Sequence, residues 1–290
     1  MWLLHTTTLH LHEFFGANTP PYAILSHTWG SGELVFQDVP LATPATAALH
    51  DLELSPALKG KPGFDKVARF CAFVKKWHDY AWVDTCCIDK RSSAELSEAV
   101  NSMYKWYRDA QICIVYLADV PPLQQDVTQD DGGYSTWEAA FRASRWFTRG
   151  WTLQELIASE TRIFVARDWT ELDIRQRSRG WHHDLLALVA DITGIAEKVL
   201  RSRAALPHFC IAERMSWAAR RQTTRAEDAA YSLLGLFAVN MPILYGEAGN
   251  AFTRLQEELL RRSPDESIFW AAGKRAGGFR GSAAAEVVSV

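Results

Sequence analysis

Paired cysteines are missing from this sequence. It has five cysteines, and no two stand as Cys-x-x-Cys. That spacing argues against a zinc ribbon and a disulfide framework, and fits reduced thiols in an intracellular protein. Positive charge is not in excess either: 31 Lys and Arg face 34 Asp and Glu, for a formal net charge of -3. A chain built to grip a phosphate backbone is usually basic, so nucleic acid is not the expected partner. Long apolar runs are absent as well. The longest, Tyr231 to Tyr245, is too short to span a bilayer and contains Asn240 and Pro242, so no membrane partner is expected. Met1 to Phe15 is apolar but carries His5, His10, His12 and Glu13, with no basic region and no small-residue cleavage site. It does not read as a secretory leader, and a cytoplasmic protein is expected.

Catalytic fingerprints are scarce too. Gly30-Ser31-Gly32 lacks the third glycine of a dinucleotide turn. There is no phosphate-cradling Gly-x-x-x-x-Gly-Lys-Ser/Thr, no His-Glu-x-x-His and no Gly-x-Ser-x-Gly. No internal repeat is visible. The sequence calls for no metal and no bound cofactor.

What is present is the pattern of a globular α/β protein, with 48% hydrophobic and 22% charged residues. Tyr22–His27, Tyr80–Asp84, Gln111–Leu117 and Arg162–Val165 are short apolar runs of strand length. Between them, Phe64–Trp77 carries apolar residues in helical steps of three and four. A second helix starts at Ser92 or Ser93, with Glu95 placed for a capping box, and runs to about Arg108. This alternation predicts a parallel sheet covered by helices. Residues 38–63 read as a loop-bearing insertion and Asp126–Gly133 as a polar break. Tyr134–Ala143 and Thr152–Ala158 read as helices. Beyond Asp168 the alternation stops, and His183–Ile192, Pro207–Arg221, Ala226–Phe237 and Ala248–Arg262 read as helices. The expected organisation is an α/β core over 1–168, a mainly helical extension over 169–270, and a loosely ordered tail over 271–290.

In an open parallel sheet, ligands bind beyond the carboxyl ends of the strands. That rule selects Ser26-His27-Thr28-Trp29-Gly30 and Asp84-Thr85-Cys86-Cys87-Ile88-Asp89. Each member also has a plain structural role: Asp84 as a loop cap, His27 as a hydrogen-bonded core histidine, Cys86 and Cys87 as small buried fillers. Nucleophilic Cys86 or Cys87 with His27 as base is a further reading. A third cluster runs from Ser144 to Leu156, with Arg145, Trp146, Arg149, Trp151 and Glu155. Trp151 and Glu155 stand at i and i+4, on one helical face. An indole over a carboxylate excludes water and raises its pKa, an environment useful in catalysis. Core packing of Trp146 and Trp151, with Glu155 paired to Arg145 or Arg149, explains the same residues. The basic stretch Glu213 to Arg225 reads as a solvated helix end.

Tyr22-Ala-Ile-Leu-Ser-His-Thr-Trp-Gly30, Trp82-Val-Asp-Thr-Cys-Cys-Ile-Asp89 and Arg149-Gly-Trp-Thr-Leu-Gln-Glu155 resemble the successive blocks of the fungal heterokaryon-incompatibility (HET) domain. The resemblance continues through Glu213-Arg-Met-Ser-Trp217, Thr224 to Gly235 and Asn240 to Glu247, and so covers about Tyr22 to Trp270. Lys90 stands where the family usually has glutamine, and Ala248 interrupts its Gly-Glu-Gly.

The resemblance implies a role in fungal non-self recognition, where incompatible fusion triggers programmed cell death. It implies a partner in that system, or self-association. HET domains are also distantly similar to Toll/interleukin-1 receptor (TIR) domains, which implies a flavodoxin-like parallel sheet. In TIR domains a Trp-Cys-x-x-Glu-Leu block carries the glutamate that cleaves NAD+. Trp151-Thr-Leu-Gln-Glu155-Leu156 has the same spacing, with Thr152 in place of cysteine. The resemblance therefore implies Glu155 as catalytic residue and NAD+ as substrate. Ser26, His27, Trp29, Asp84, Arg145, Trp146, Arg149 and Trp151 are the candidate substrate-binding residues. A non-catalytic, self-associating signalling module is the competing expectation.

Overall fold

The computed structural model describes residues 1–42, 59–122, 136–172 and 185–269. Most of the expected insertion, the polar break before Tyr134 and the tail over 271–290 lie outside these residues. The chain packs as two compact units. The first comprises Met1–Ala99, Asp109–Phe141 and Thr161–Leu172; the second comprises Val100–Arg108, Arg142–Glu160 and Asp173–Val290.

The first unit is organised by a six-stranded mixed sheet of order β2-β1-β4-β3-β5-β6. Its strands are β1 (Trp2–His5), β2 (Leu11–Glu13), β3 (Tyr22–His27), β4 (Tyr80–Trp82), β5 (Ile112–Tyr116) and β6 (Arg162–Val165). The four strands β3 to β6 are parallel neighbours, as the alternation predicts. Every residue of β3 is buried, which is what a strand covered on both faces requires. The register sets Ile24 beside Trp82 and Cys113, and Ser26 beside Val115. The expectation of an all-parallel sheet needs one correction. β1 and β2 form an antiparallel pair at one edge, and β1 lies antiparallel to β4. Histidines at His5 and His12 hide these short strands from an apolar-run reading. Their rings pack in an aromatic group with Tyr80 and Phe14.

Helix α1 (Pro62–Val74) buries Val67, Cys71 and Val74 of the face its periodicity marks, and Phe70 beside them; it stops before Trp77, which is exposed. Helix α2 (Ser93–Asp109) is capped by Ser92, whose Oγ accepts the Glu95 N–H at 3.2 Å. The second half of the expected capping box is redirected, because the Glu95 carboxylate accepts the N–H of Asp89 at 2.8 Å. Helix α3 (Thr136–Arg142) follows, and Phe141 packs on Phe164 of β6.

The second unit is helical: α4 (Thr152–Ala158), α5 (Leu185–Thr193), α6 (Glu197–Arg201), α7 (Ile211–Ser216), α8 (Asp228–Tyr231) and α9 (Asn250–Arg262). The segments expected as two long helices are broken by 3-10 turns at Arg203–His208 and Gly235–Phe237. No described helix is long and apolar enough to cross a membrane.

Candidate functional site

In the first unit, the predicted strand-end residues converge. β3 ends at His27 and β4 at Trp82, side by side. Val83 then starts a tight turn, its carbonyl accepting the N–H groups of Cys86 and Cys87 at 3.2 and 2.8 Å. That turn lifts Asp84 onto the strand ends. Its Oδ1 lies 3.0 Å from His27 Nε2, and its Oδ2 accepts the Trp29 indole N–H at 2.8 Å. One carboxylate thus holds an imidazole and an indole in fixed positions. Burial works to raise the Asp84 pKa, but the His27 hydrogen bond and the charges of His27 and Lys90 outweigh it, leaving the group at about 2.

Trp29 is 46% exposed, so its ring is open to a flat partner. Lys90 Nζ sits 3.8 Å from the ring centroid, a cation–π contact. Although the Lys90 side chain is exposed, desolvation at the ammonium lowers its pKa. Glu33 completes the rim: its Oε1 accepts the Gly30 N–H at 2.6 Å and lies 2.5 Å from Lys66 Nζ. His27 Nδ1, Thr85 Oγ1 and Glu33 Oε2 are buried without a hydrogen-bond partner. Ser26 is fully buried in β3.

Sequence reasoning missed Lys90 and Glu33. Lys90 carried one signal, its departure from the family's glutamine. The cysteine reading finds no contact to rest on. His27 Nδ1 has no partner of any kind, its Nε2 is engaged by Asp84, and Cys86 and Cys87 are buried with Cys86 hydrogen-bonded to Cys87. That bond and burial push the Cys86 thiol well up, away from the thiolate a nucleophile needs.

The remaining candidates lie in the second unit. Arg149-Gly150 is fastened to Gln222: the Gly150 N–H donates to Gln222 O at 2.9 Å, and the Gln222 N–H to Thr148 O at 2.6 Å. A Cβ on Gly150 would come within 2.5 Å of Thr223 Cγ2, so any side chain there obliges Thr223 to turn away. Trp151 is half-buried at the start of α4, and its indole bonds Asp228. Trp146 is 1% exposed and packs edge-on against Phe147 at 5.2 Å. Arg145 is exposed, and Arg149 reaches Thr224 Oγ1 at 3.2 Å.

Glu155 is 6% exposed, on a helix whose residues are all buried. The charge of Glu155 acts on Arg221, which is 5% exposed. Burial lowers the Arg221 pKa to about 10, against that opposing field. Arg221 Nη1 donates to Arg149 O at 2.9 Å and to Thr152 Oγ1 at 2.8 Å, and Nε to Trp217 O at 3.3 Å. The guanidinium therefore anchors the turn that enters α4. Reading Glu213 to Arg225 as solvated holds for Arg220 but not for Arg221. Little in the local sequence distinguishes these neighbours, because two of the three acceptors of Arg221, Arg149 O and Thr152 Oγ1, lie about 70 positions away. Among the described residues, no group of three or more His, Cys, Asp or Glu is placed to hold a metal ion.

Nearby, Asp228 accepts the Tyr245 hydroxyl at 3.0 Å, and Glu227 accepts the N–H groups of Gly246 and Ala248 at 2.8 and 3.0 Å. Ala248 has φ +50, the left-handed region that favours glycine. Ala248→Gly is expected to stabilise the protein by about 0.5–1 kcal/mol, read as a higher midpoint in urea with unchanged slope.

The Heterokaryon incompatibility protein (HET) family pattern matches residues 22–132. A domain of unknown function (DUF8212) matches residues 250–280. Over 244 residues the chain is 43% identical to the vegetative incompatibility protein HET-E-1 of Podospora anserina. That alignment takes in 83% of this chain but 16% of the relative, so the chain spans a small part of that protein's length. No solved structure matches the chain.

Proposed function

Because this chain belongs to the heterokaryon-incompatibility (HET) domain family, we propose that it acts in fungal vegetative incompatibility as a cell-death effector that cleaves the nicotinamide–ribose bond of NAD+. Its partner is an incompatibility protein or a second copy of itself. One observation carries the catalytic part: the Glu155 carboxylate is withdrawn from water on α4, with the Arg221 guanidinium in its field.

Cleavage of this bond passes through an oxocarbenium-like state at the ribose C1′. Nicotinamide departs from a pyridinium as a neutral molecule, so no acid has to protonate it. Water then adds to C1′ and releases a proton. The enzyme's task is to stabilise positive charge where it develops, and a carboxylate shielded from water does so more strongly than an exposed one. Glu155 takes that role, and Arg221, through Arg149 O and Thr152 Oγ1, positions the helix that bears it.

A second reading rests on the same burial. If Glu155 and Arg221 serve only to hold α4 in place, the domain signals without chemistry, by associating with itself or a partner. Concentrated wild-type protein incubated with NAD+ separates the two. The catalytic reading expects free nicotinamide, and a loss of roughly a hundredfold or more in Glu155→Gln. Equal release from folded Glu155→Gln removes Glu155 from the chemistry; no release from the wild type in vitro, with unchanged NAD+ in cells that it kills, leaves the signalling module.

A further inference from the structure

The second unit contains a cavity of about 230 Å³ that the reading above does not use. Its lining combines apolar side chains, Phe147, Ile192 and Trp217, with polar ones, Ser216, Arg220 and Arg221. We infer that this cavity binds a small planar molecule bearing a carboxylate on a single aromatic ring.

Charge gives the first argument. Arg220 and Arg221 line the cavity with one acid, Asp191, which is engaged by Arg142 at 2.6 Å; the Glu155 charge already opposes that of Arg221, so Arg220 supplies the excess positive charge. The second argument is an unmet bond. Nε and Nη1 of Arg221 are committed to protein acceptors, but Nη2 is buried with no acceptor at all. A buried donor left unmade costs about 1–3 kcal/mol, so a ligand oxygen that meets it binds with that advantage. Size and shape give the third. The volume falls below the roughly 300–1,000 Å³ of drug-sized pockets and suits one ring. Trp217 and Phe147 are 5% and 6% exposed, so their apolar surface is already held in place for a flat ring. Arg220, exposed at the same cavity, supplies a second cation to the carboxylate. The inference does not depend on NAD+ cleavage.

Calorimetric titration with benzoate tests it, with benzamide as neutral isostere and inorganic phosphate as ringless anion. Benzoate is expected to bind saturably at one site. Benzamide is expected to bind roughly tenfold more weakly, and phosphate without saturation. Arg220→Ala is expected to weaken benzoate several-fold. Ser216→Phe, made from an exposed residue with no bond to Arg221, fills the cavity and is expected to abolish binding while leaving the circular dichroism spectrum unchanged. No saturable benzoate binding to the wild type, or undiminished binding to Ser216→Phe, overturns the inference.

Discussion

At pH 7, Asp84→Asn is expected to destabilise the protein by about 2 kcal/mol, and that loss is expected to shrink as the pH falls from about 4 towards 2. The Asp84 carboxyl is held at about 2, below its ordinary 3.8, because His27, Lys90 and the Trp29 indole favour the charged form by more than burial disfavours it. A depressed carboxyl pKa contributes stability above the unfolded value and loses it as the pH drops through the folded value. The Asp84 side chain is 19% exposed, so solvent screening takes little from this figure. Asparagine also offers one acceptor oxygen where Asp84 uses two, so either His27 or the Trp29 indole faces an N–H group instead. Urea unfolding of both proteins at pH 7 and at steps down to about 2.5 measures the difference. A gap that stays constant with pH would mean that the cluster stabilises through shape and neutral hydrogen bonds, and not through the Asp84 charge.

This cluster was readable from the sequence because its members sit at strand ends, and strand ends are where apolar runs stop. Tyr22–His27 and Arg162–Val165 were legible to the residue: the first is a wholly buried strand with a continuous apolar run, the second a short edge strand whose Ile163-Phe164-Val165 is apolar. β1 and β2 were not legible. They are three or four residues long, interrupted by histidine, and exist through pairing with each other and with β4, about 75 positions on. The helical half failed locally for another reason. Pro207–Arg221 reads as one amphipathic helix, but Pro207 lies in a 3-10 turn and Cys210 caps α7. The Cys210 N–H donates to the Glu213 carboxylate at 2.9 Å, and its sulfur accepts the Glu213 N–H at 3.5 Å. Cysteine is not among the residues that announce a helix start, so the cap was invisible. Arg221 was hidden in the same way: its role is set by Arg149 and Thr152, and chain spacing holds no trace of that meeting.

The same limit applies to Gly235, where the largest effect on stability is expected. It opens the 3-10 turn Gly235–Phe237, and nothing in Leu-Leu-Gly-Leu-Phe shows why it is glycine. A Cβ built there would lie 2.0 Å from Tyr104 Cβ, 2.5 Å from Cγ and 2.9 Å from Cδ2. Cβ positions are fixed by the backbone, so no rotation of Tyr104 relieves the first of these contacts. Either the turn or α2 has to move, and Leu236 and Tyr107 are both buried beside the contact in sequence. Overpacking of a core by a methyl typically costs about 1–3 kcal/mol; a clash between two backbone-fixed atoms belongs at or above the top of that range. Gly235→Ala is therefore expected to lose roughly 4 kcal/mol and to accumulate as insoluble protein at growth temperature. Paired substitutions identify the cause. Tyr104→Ala keeps the Cβ and should not rescue Gly235→Ala. Tyr104→Gly removes it and should recover much of the loss, less the roughly 1 kcal/mol that glycine costs inside a helix. Equal rescue by both would assign the effect to the Tyr104 ring, and rescue by neither would mean that the turn itself rejects a side chain.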